Sequence, residues 1–252
     1  MPFLTAGGHR LEYERIAGDS GAPTLILLHE GLGSVALWRD FPARLAAATG
    51  CPAVVYSRYG YGRSDPLAAP RGVDYMHREA LATLPELRAA LALEQAILVG
   101  HSDGASIALI HAGSGRWPVR AVVLAAPHVF VEDVSIASIA AARTAYETTD
   151  LRQRLARYHA DVDSAFRGWN DIWLDPAFRT WNIEDVLPGV RCPVLAIQGA
   201  DDEYGTLAQI DAIERGVAGR FERLVLPGCK HSPHRDQEPA TLEAMARFIA
   251  RV

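Results

Sequence analysis

The sequence predicts an α/β fold in which a mostly parallel central sheet is covered by helices on both faces. Short apolar runs alternate along the chain with longer segments of helical periodicity, and most of these runs are apolar at nearly every position. Such continuous runs are typical of parallel strands that are buried on both faces. Their alternation with helices indicates crossover connections between the strands of one sheet.

The strands and helices can be located in chain order. The predicted parallel strands are Thr24–His29, Pro52–Tyr56, Ala96–Gly100, Val119–Ala125, Val194–Gln198 and Phe221–Leu226. The helix-like segments are Leu37–Thr49, Met76–Leu93, Ser102–Ala112, Leu207–Val217 and Pro239–Arg251. The segment Leu11–Ile16 alternates more strictly between apolar and polar residues, which indicates an outer, antiparallel strand.

One long stretch, residues 128–185, interrupts the alternation. It contains no convincing strand and looks helical. Its large aromatic residues include Tyr146, Tyr158, Phe166, Trp169, Trp173, Phe178 and Trp181. Because loops this long inside compact domains are usually functional, we predict a helical lid (cap) of residues 128–185, inserted in an α/β core of residues 1–127 and 186–252. The alternative is two ordinary crossover helices with a long loop.

Composition and charge narrow the class of protein. The 252 residues are 49% hydrophobic and 22% charged, which is ordinary for a soluble globular protein. A net charge of -5 with scattered arginines argues against a nucleic-acid partner. No apolar run approaches the ~20 residues of a membrane span, and no Cys/His spacing resembles a zinc site. We expect a cytoplasmic protein without a metal, a nucleic-acid partner or a membrane partner; the oligomeric state stays open, with a homodimer as one alternative.

A nucleophile motif directly follows the third predicted parallel strand. The residues Gly100-His101-Ser102-Asp103-Gly104 match the pattern G-x-S-x-G and stand between an apolar run and a helical segment. In a sharp strand-to-helix turn of this kind the serine takes a strained backbone conformation that exposes its hydroxyl, and the glycines relieve crowding. The N-terminus of the following helix favours developing negative charge. We predict that Ser102 is a nucleophile; a plain turn with a capping serine is the alternative.

The chain resembles the α/β-hydrolase superfamily over essentially its whole length. The motifs that carry the resemblance, besides the nucleophile motif, are His29-Glu30-Gly31-Leu32-Gly33-Ser34 and Arg58-Tyr59-Gly60-Tyr61-Gly62-Arg63-Ser64, each after a strand. Within the superfamily the chain is most similar to the biphenyl-hydrolase-like (valacyclovir-hydrolase) group, which has Ser-Asp-Gly-Gly at the nucleophile and a late Lys-His-x-x-His segment. The matching segments of this chain are Ser102-Asp103-Gly104-Ala105 and Lys230-His231-Ser232-Pro233-His234. The resemblance implies an α/β-hydrolase fold.

The base and the acid that would activate Ser102 are expected later in the chain, because the order in this fold is serine, then an acid, then histidine. His231 stands in a turn-rich loop before the last helix, where the resemblance places the catalytic histidine; His234 is the alternative. The family spacing Gly-x-x-Asp selects Asp202 as the acid, with Asp201 as the alternative. The acid would orient His231 and stabilise its imidazolium.

An oxyanion hole for acyl transfer needs N–H donors close to the nucleophile. The N–H of Asp103, the residue after the serine, is one expected donor. For the other, the resemblance selects Gly31, with Leu32 next. The family commonly has His-Gly at the start of this loop, whereas this chain has His29-Glu30. The Glu30 carboxylate either binds substrate or turns outward to solvent.

The sequence constrains the identity of the substrate less than it constrains the type of reaction. A carboxylate on Asp103 either pairs with a cationic group of the substrate or forms a local hydrogen bond at the helix start, where aspartate is favoured. The aromatic residues of the lid, Trp169 and Trp173 in particular, predict contact with an apolar or aromatic substrate group; packing within the lid is the alternative.

These expectations together predict a serine hydrolase that cleaves small carboxylic esters through an acyl-enzyme on Ser102. No cofactor is implied, because the three residues Ser102, His231 and Asp202 need none. One alternative is a C–C bond hydrolase of the meta-cleavage-product type with the same three residues. Another is a ligand-sensing protein of this fold with little turnover.

Overall fold

The structure is a computed structural model and describes residues 1–252. Its strands are β1 (Phe3–Ala6), β2 (His9–Ile16), β3 (Thr24–Leu28), β4 (Ala53–Tyr56), β5 (Ala96–His101), β6 (Ala121–Ala125), β7 (Val194–Gly199) and β8 (Phe221–Leu226). They form one eight-stranded sheet in the order β1-β2-β4-β3-β5-β6-β7-β8. The six strands from β3 to β8 are parallel, and β1 and β2 are antiparallel at one edge. The mostly parallel sheet predicted from the sequence is therefore confirmed.

The outer part of the sheet extends further than predicted. The segment Leu11–Ile16 belongs to β2, which pairs antiparallel with β4 as expected. Strand β1 was not predicted, although its signal is present: Gly7 and Gly8 both have positive φ, 59° and 76°, and connect β1 to β2 in a two-residue hairpin. Glycine pairs favour hairpin turns of this kind.

Helices cover both faces of the sheet. They are α1 (Phe41–Thr49), α2 (Tyr75–Arg78), α3 (Leu84–Ala90), α4 (Asp103–Gly113), α5 (Asp133–Thr148), α6 (Leu151–Leu155), α7 (Val162–Leu174), α8 (Ala208–Gly216), α9 (Pro233–Asp236) and α10 (Glu238–Ile249). The single helix expected over Met76–Leu93 is divided by a π-helical turn, Glu79–Thr83. Pro85 explains this widening, because its ring cannot accommodate the carbonyl of Leu81 at ordinary helical spacing. None of the helices has the combination of length and apolar character needed to cross a membrane.

Each parallel strand contributes alternate side chains to two hydrophobic cores, one on either face of the sheet. In β5, Leu98 belongs to one core, whereas Ile97 and Val99 belong to the other. The second core is closed by α1 and α10, which contribute Phe41 and Phe248. Because side chains alternate across a strand, this double burial requires the continuous apolar runs seen in the sequence.

Residues 128–185, called the insertion below, connect β6 to the segment that precedes β7. They contain α5, α6 and α7. Two 3-10 turns follow these helices: Pro176–Thr180 lies within the insertion, and Glu184–Gly189 begins in it and ends just after it. The insertion adds no strand to the sheet, and its only β pairing is an isolated bridge between Phe130 and Asn182. Trp173 on α7 is 1% exposed and belongs to the same core as α4.

The carboxyl ends of the parallel strands meet at one edge of the sheet, and the residues that follow them gather there. Glu30 follows β3, Ser102 follows β5 and His128 follows β6. Asp202 follows β7 and His231 follows β8. In open α/β sheets this edge is where ligands bind.

Candidate active site

Ser102 stands in a strained turn between β5 and α4. Its backbone angles are φ 53° and ψ -118°, outside the regions that L-residues ordinarily adopt. A β-carbon on Gly100 would overlap the carbonyl of Gly104, and one on Gly104 would overlap the carbonyl of Leu28. Both glycines are therefore needed for the turn to close over β3, and the turn aims the serine hydroxyl at the edge of the sheet.

A chain of hydrogen bonds joins Ser102 to His231 and His231 to Asp202. The distance from Ser102 Oγ to His231 Nε2 is 2.9 Å. His231 Nδ1 lies 2.8 Å from Asp202 Oδ1 and 3.0 Å from Oδ2. In this arrangement the imidazole can accept the serine proton while the carboxylate holds the other ring nitrogen protonated.

The Asp202 carboxylate is fixed on every side. Gln198 Nε2 donates to its Oδ2 at 2.6 Å, and the Tyr204 N–H donates to its Oδ1 at 2.8 Å. Burial alone would raise the pKa of Asp202, but the hydrogen bond and charge of His231 and the Tyr204 N–H hold it below its usual range. Asp201, the alternative acid, is exposed, and its side chain makes no hydrogen bond or ion pair within the protein. The structure therefore brings Asp202, and not Asp201, to His231.

His234, the alternative base, lies behind the site instead of beside the serine. Its ring contacts Trp38, Phe41 and His101, with centroid distances of 4.8, 5.4 and 4.9 Å. Neither ring nitrogen has a hydrogen-bond partner, and burial holds the pKa of His234 well below its usual range. The neutral ring therefore packs as an aromatic residue.

The N–H groups expected to form the oxyanion hole are free of partners within the chain. Asp103 is the first residue of α4, where an N–H has no intrahelical acceptor. The N–H groups of Gly31 and Leu32 donate no backbone or side-chain hydrogen bond. Gly31, Leu32 and Ser102 line the same cavity. A β-carbon on Gly31 would overlap the indole of Trp169, so the loop after β3 packs directly against the insertion.

The Glu30 carboxylate is held inside the site and does not turn outward to solvent. Its side chain is 15% exposed, with Oε2 3.4 Å from His101 Nδ1 and Oε1 3.4 Å from Arg235 Nη2. Burial alone would raise the pKa of Glu30, but His101 and Arg235 hold it well below its usual range. His101 in turn lies with Nε2 2.8 Å from the His231 carbonyl oxygen. Glu30 is thus an ionised group in the cavity wall.

The side chain of Asp103 has neither of the two roles considered from the sequence. It is fully buried, and it does not line the cavity. The Tyr75 hydroxyl donates to its Oδ2 at 2.7 Å, and Arg58 Nη2 lies 3.7 Å from the same oxygen. Trp173 Nε1 donates to the Tyr75 hydroxyl at 3.1 Å. Sequence reasoning missed Arg58 and Tyr75; the position of Arg58 after β4, in a motif already singled out, was the available signal.

The cavity above Ser102 has a volume of about 300 Å³ and two different walls. The insertion supplies an apolar wall that contains Ile139, Leu155, Trp169 and Trp173. The lining also includes charged residues from outside the insertion, which are Glu30, Glu203, Lys230, Arg235 and Asp236. The three candidate substrate-binding residues Glu30, Trp169 and Trp173 therefore all face one cavity.

His128 is a cavity residue that sequence reasoning did not single out. Its ring lies between His231 and Trp173, with centroid distances of 5.5 and 5.3 Å. Burial and the nearby His231 lower the pKa of His128 to about 3, so its ring stays neutral beside the histidine that accepts the serine proton. A histidine directly after the fourth predicted parallel strand was the only signal in the sequence.

The fold and this site define a hydrolase. The Alpha/beta hydrolase family model matches residues 25–244, and the chain belongs to that family. Serine hydrolase BPHL of Mus musculus is 25% identical over 239 residues, which cover 92% of this chain and 80% of that protein. This distant similarity agrees with the resemblance to biphenyl-hydrolase-like proteins.

Two further similarities are to proteins named for different activities. A proline iminopeptidase of Levilactobacillus brevis is 39% identical over 103 residues, which cover 39% of this chain and 33% of that protein. The chain thus matches only about a third of that relative's length. The crystal structure of the enol-lactonase from Burkholderia xenovorans LB400 is 20% identical, with a TM-score of 0.77 and coverage of 98% of this chain and 99% of that one. At this identity the likeness supports the fold alone.

Proposed function

We propose that the protein is a serine hydrolase that cleaves small carboxylic esters through an acyl-enzyme on Ser102. The observation that carries the proposal is the continuous hydrogen-bond chain from Ser102 Oγ through His231 to Asp202, which opens into a partly apolar cavity. Such a chain activates a hydroxyl group that is otherwise a weak nucleophile.

The proposed reaction has two halves that use the same groups. Ser102 Oγ attacks the ester carbonyl carbon while His231 Nε2 takes the hydroxyl proton. The C–O bond to the alcohol then breaks, the alcohol leaves with that proton, and the acyl group stays on Ser102. A water molecule, deprotonated by His231, then attacks the acyl carbon. The bond to Ser102 Oγ breaks, His231 returns the proton to Oγ, and the acid is released. Asp202 keeps the imidazole oriented and stabilises its positive charge in both halves.

The oxyanion formed in each half is stabilised by the N–H groups of Gly31 and Asp103. Donors fixed in advance in a site of low polarity stabilise the developing charge without reorganisation. The unpartnered N–H of Gly31 and the position of Asp103 at the first turn of α4 support this assignment.

The insertion acts as the lid of this site and sets the substrate preference. Trp169 and Trp173 form its contribution to the cavity wall, and they bind an apolar or aromatic group of the ester. Glu30 stands on the charged side, where it binds the polar part of the substrate.

Amide hydrolysis is a second candidate, favoured by one comparison. The similar protein from Levilactobacillus brevis is a proline iminopeptidase. The carboxylates Glu30 and Glu203 in the cavity wall supply negative charge of the kind that binds a free amino terminus. Hydrolysis of proline p-nitroanilide, compared with that of p-nitrophenyl acetate, separates the two candidates. A vinylogous diketone substrate tests the C–C bond hydrolase alternative with the same enzyme.

The central experiment is the hydrolysis of p-nitrophenyl acetate and butyrate by the wild type and by Ser102→Ala. Loss of the nucleophile should remove nearly all activity, because the three residues act as a unit. Ser114→Ala is the matched control, since it makes the same substitution at the far end of α4, where the hydroxyl donates to the His111 carbonyl and accepts from the Arg116 N–H, away from the site. Equal activity in the wild type and Ser102→Ala would refute the nucleophile. A wild type without ester activity would favour the amide, C–C or ligand-sensing alternatives.

A further inference from the structure

A buried arginine, Arg58, lies beneath the proposed oxyanion hole. It follows β4, and its side chain is 1% exposed. Its Nη2 donates to the carbonyl oxygen of Glu30 at 2.8 Å and to that of His29 at 3.2 Å. Arg58 does not line the cavity, so these contacts serve the loop after β3 and not the substrate directly.

The Glu30 carbonyl and the Gly31 N–H are the two ends of one planar peptide unit. A hydrogen bond that fixes the carbonyl oxygen therefore also fixes the direction in which the Gly31 N–H points. Donation to the carbonyl polarises the peptide unit as well, which makes its N–H a stronger donor. Through this unit Arg58 acts on the proposed oxyanion donor from the opposite side.

His29 donates a further hydrogen bond to the same carbonyl oxygen of Glu30. The backbone N–H of Arg58 donates to His29 Nε2 at 3.0 Å, which places the ring proton on Nδ1. His29 Nδ1 lies 2.6 Å from the Glu30 carbonyl oxygen and donates to it. Burial and the charge of Arg58 hold the pKa of His29 well below its usual range, so the ring stays neutral and keeps this tautomer.

Arg58 also reaches the second half of the proposed hole. Its Nη2 lies 3.7 Å from the carboxylate of Asp103, the residue whose N–H is the other donor. That carboxylate is fully buried next to the nucleophile. Without a neighbouring cation, its negative charge would oppose the developing oxyanion, because charges interact strongly in a buried site.

We propose that Arg58 is a positioning residue that holds both donors of the oxyanion hole, Gly31 through the Glu30 carbonyl and Asp103 through its carboxylate. This inference rests on the proposed serine-hydrolase function. One guanidinium nitrogen, Nη2, makes the contacts both to the loop after β3 and to the start of α4.

The test measures catalysis per active site in Arg58→Met and Arg58→Lys. Active sites are counted by the burst of p-nitrophenol, and kcat and KM are then measured with p-nitrophenyl acetate. Arg58→Met should lower kcat about 10²-fold with KM nearly unchanged, which is the typical effect of losing one oxyanion donor. Arg58→Lys, which keeps the charge and makes the milder change to the buried site, should lose less but still lose it in kcat. A merely structural role would lower the number of active sites and leave kcat per site unchanged.

Arg71→Met is the matched control. The Arg71 guanidinium lies over the rings of Tyr61 and Tyr75, at 4.9 and 5.1 Å, and Arg58 lies over the same Tyr61 ring at 5.0 Å. Arg71 Nη2 donates to the Tyr59 carbonyl, however, and not to the loop after β3. Arg71→Met should therefore leave kcat unchanged.

A second measurement separates this proposal from the proposed function. The rate constant for labelling Ser102 with a fluorophosphonate also depends on the oxyanion hole, and it needs no ester turnover. Slower labelling in both Arg58 variants than in Arg71→Met supports the proposal. Equal labelling and equal kcat per site in all variants would overturn the role of Arg58 alone. A wild type that is not labelled at all would overturn the serine nucleophile and, with it, the role of Arg58.

Discussion

Replacing Asp202 by asparagine probes the hydrogen-bond chain at the point where its geometry is most constrained. One carboxylate oxygen accepts from His231 Nδ1 and the Tyr204 N–H, both at 2.8 Å, and the other accepts from Gln198 Nε2 at 2.6 Å. An asparagine has one oxygen and one NH₂ group. In either orientation its NH₂ group therefore faces a donor that the surrounding structure holds in place.

The conflict has a definite cost for catalysis. In the orientation that places the NH₂ group against His231, it can be accommodated only if His231 Nδ1 becomes an acceptor, and the ring proton then sits on Nε2, facing Ser102 Oγ. In that tautomer the ring cannot take the serine proton. We expect kcat to fall about 10⁴-fold, the size of effect that the wrong tautomer has in serine hydrolases. The unsatisfied donor should also lower the free energy of unfolding by about 1–3 kcal/mol.

The assay compares kcat for p-nitrophenyl acetate and urea unfolding in the wild type, Asp202→Asn and Asp201→Asn. Asp201 is the adjacent, exposed carboxylate and serves as the matched control, with both quantities expected to be unchanged. A value of kcat in Asp202→Asn close to that of the wild type would refute the tautomer argument. A comparable loss in Asp201→Asn would show that the assignment of the acid is wrong.

Two further predictions concern pH and packing. The buried histidines with lowered pKa values are His29, His111, His128, His159 and His234. The unfolded chain takes up protons on these groups near pH 6.5, whereas the folded protein does not. The free energy of unfolding should therefore fall as the pH drops below about 6.5. The expected slope is up to about 1.4 kcal/mol per pH unit for each histidine. Urea unfolding at several pH values checks this, and a curve that is flat between about pH 7 and pH 5 would contradict it. Gly31→Ala should lower kcat and change tryptophan fluorescence, because the added methyl group displaces the Trp169 indole or the loop after β3. The control is Gly72→Ala, at an exposed glycine. An unaltered kcat in Gly31→Ala would contradict the packing argument.

Features whose requirements are local were accessible from the sequence. The turn around Ser102 needs a buried strand, two glycines and a helix start, and all of them fall within about a dozen consecutive residues. The continuous apolar character of β5 and β7 likewise follows from burial on both faces, which leaves a direct mark on composition. For this reason the mostly parallel sheet and the edge where Ser102, Asp202 and His231 meet could be predicted.

Features that depend on partners far apart in the chain were not accessible. The carboxylate of Asp103 is held by Tyr75 and Arg58, which lie 28 and 45 residues away. No periodicity links such positions, so local reasoning about a helix start considered only a cap or a substrate contact. The inward orientation of Glu30 has the same origin, because its partner Arg235 comes from α9 near the other end of the chain.

The contact between Gly31 and Trp169 makes two distant positions share one volume. A homologue that acquires a side chain at position 31 must give up bulk at position 169, so residue size at the two positions should vary inversely among related sequences. The same dependence matters for engineering. Trimming Trp169 to admit a larger substrate also removes the surface against which the loop after β3 rests, and broader specificity then comes at the expense of a rigid oxyanion hole.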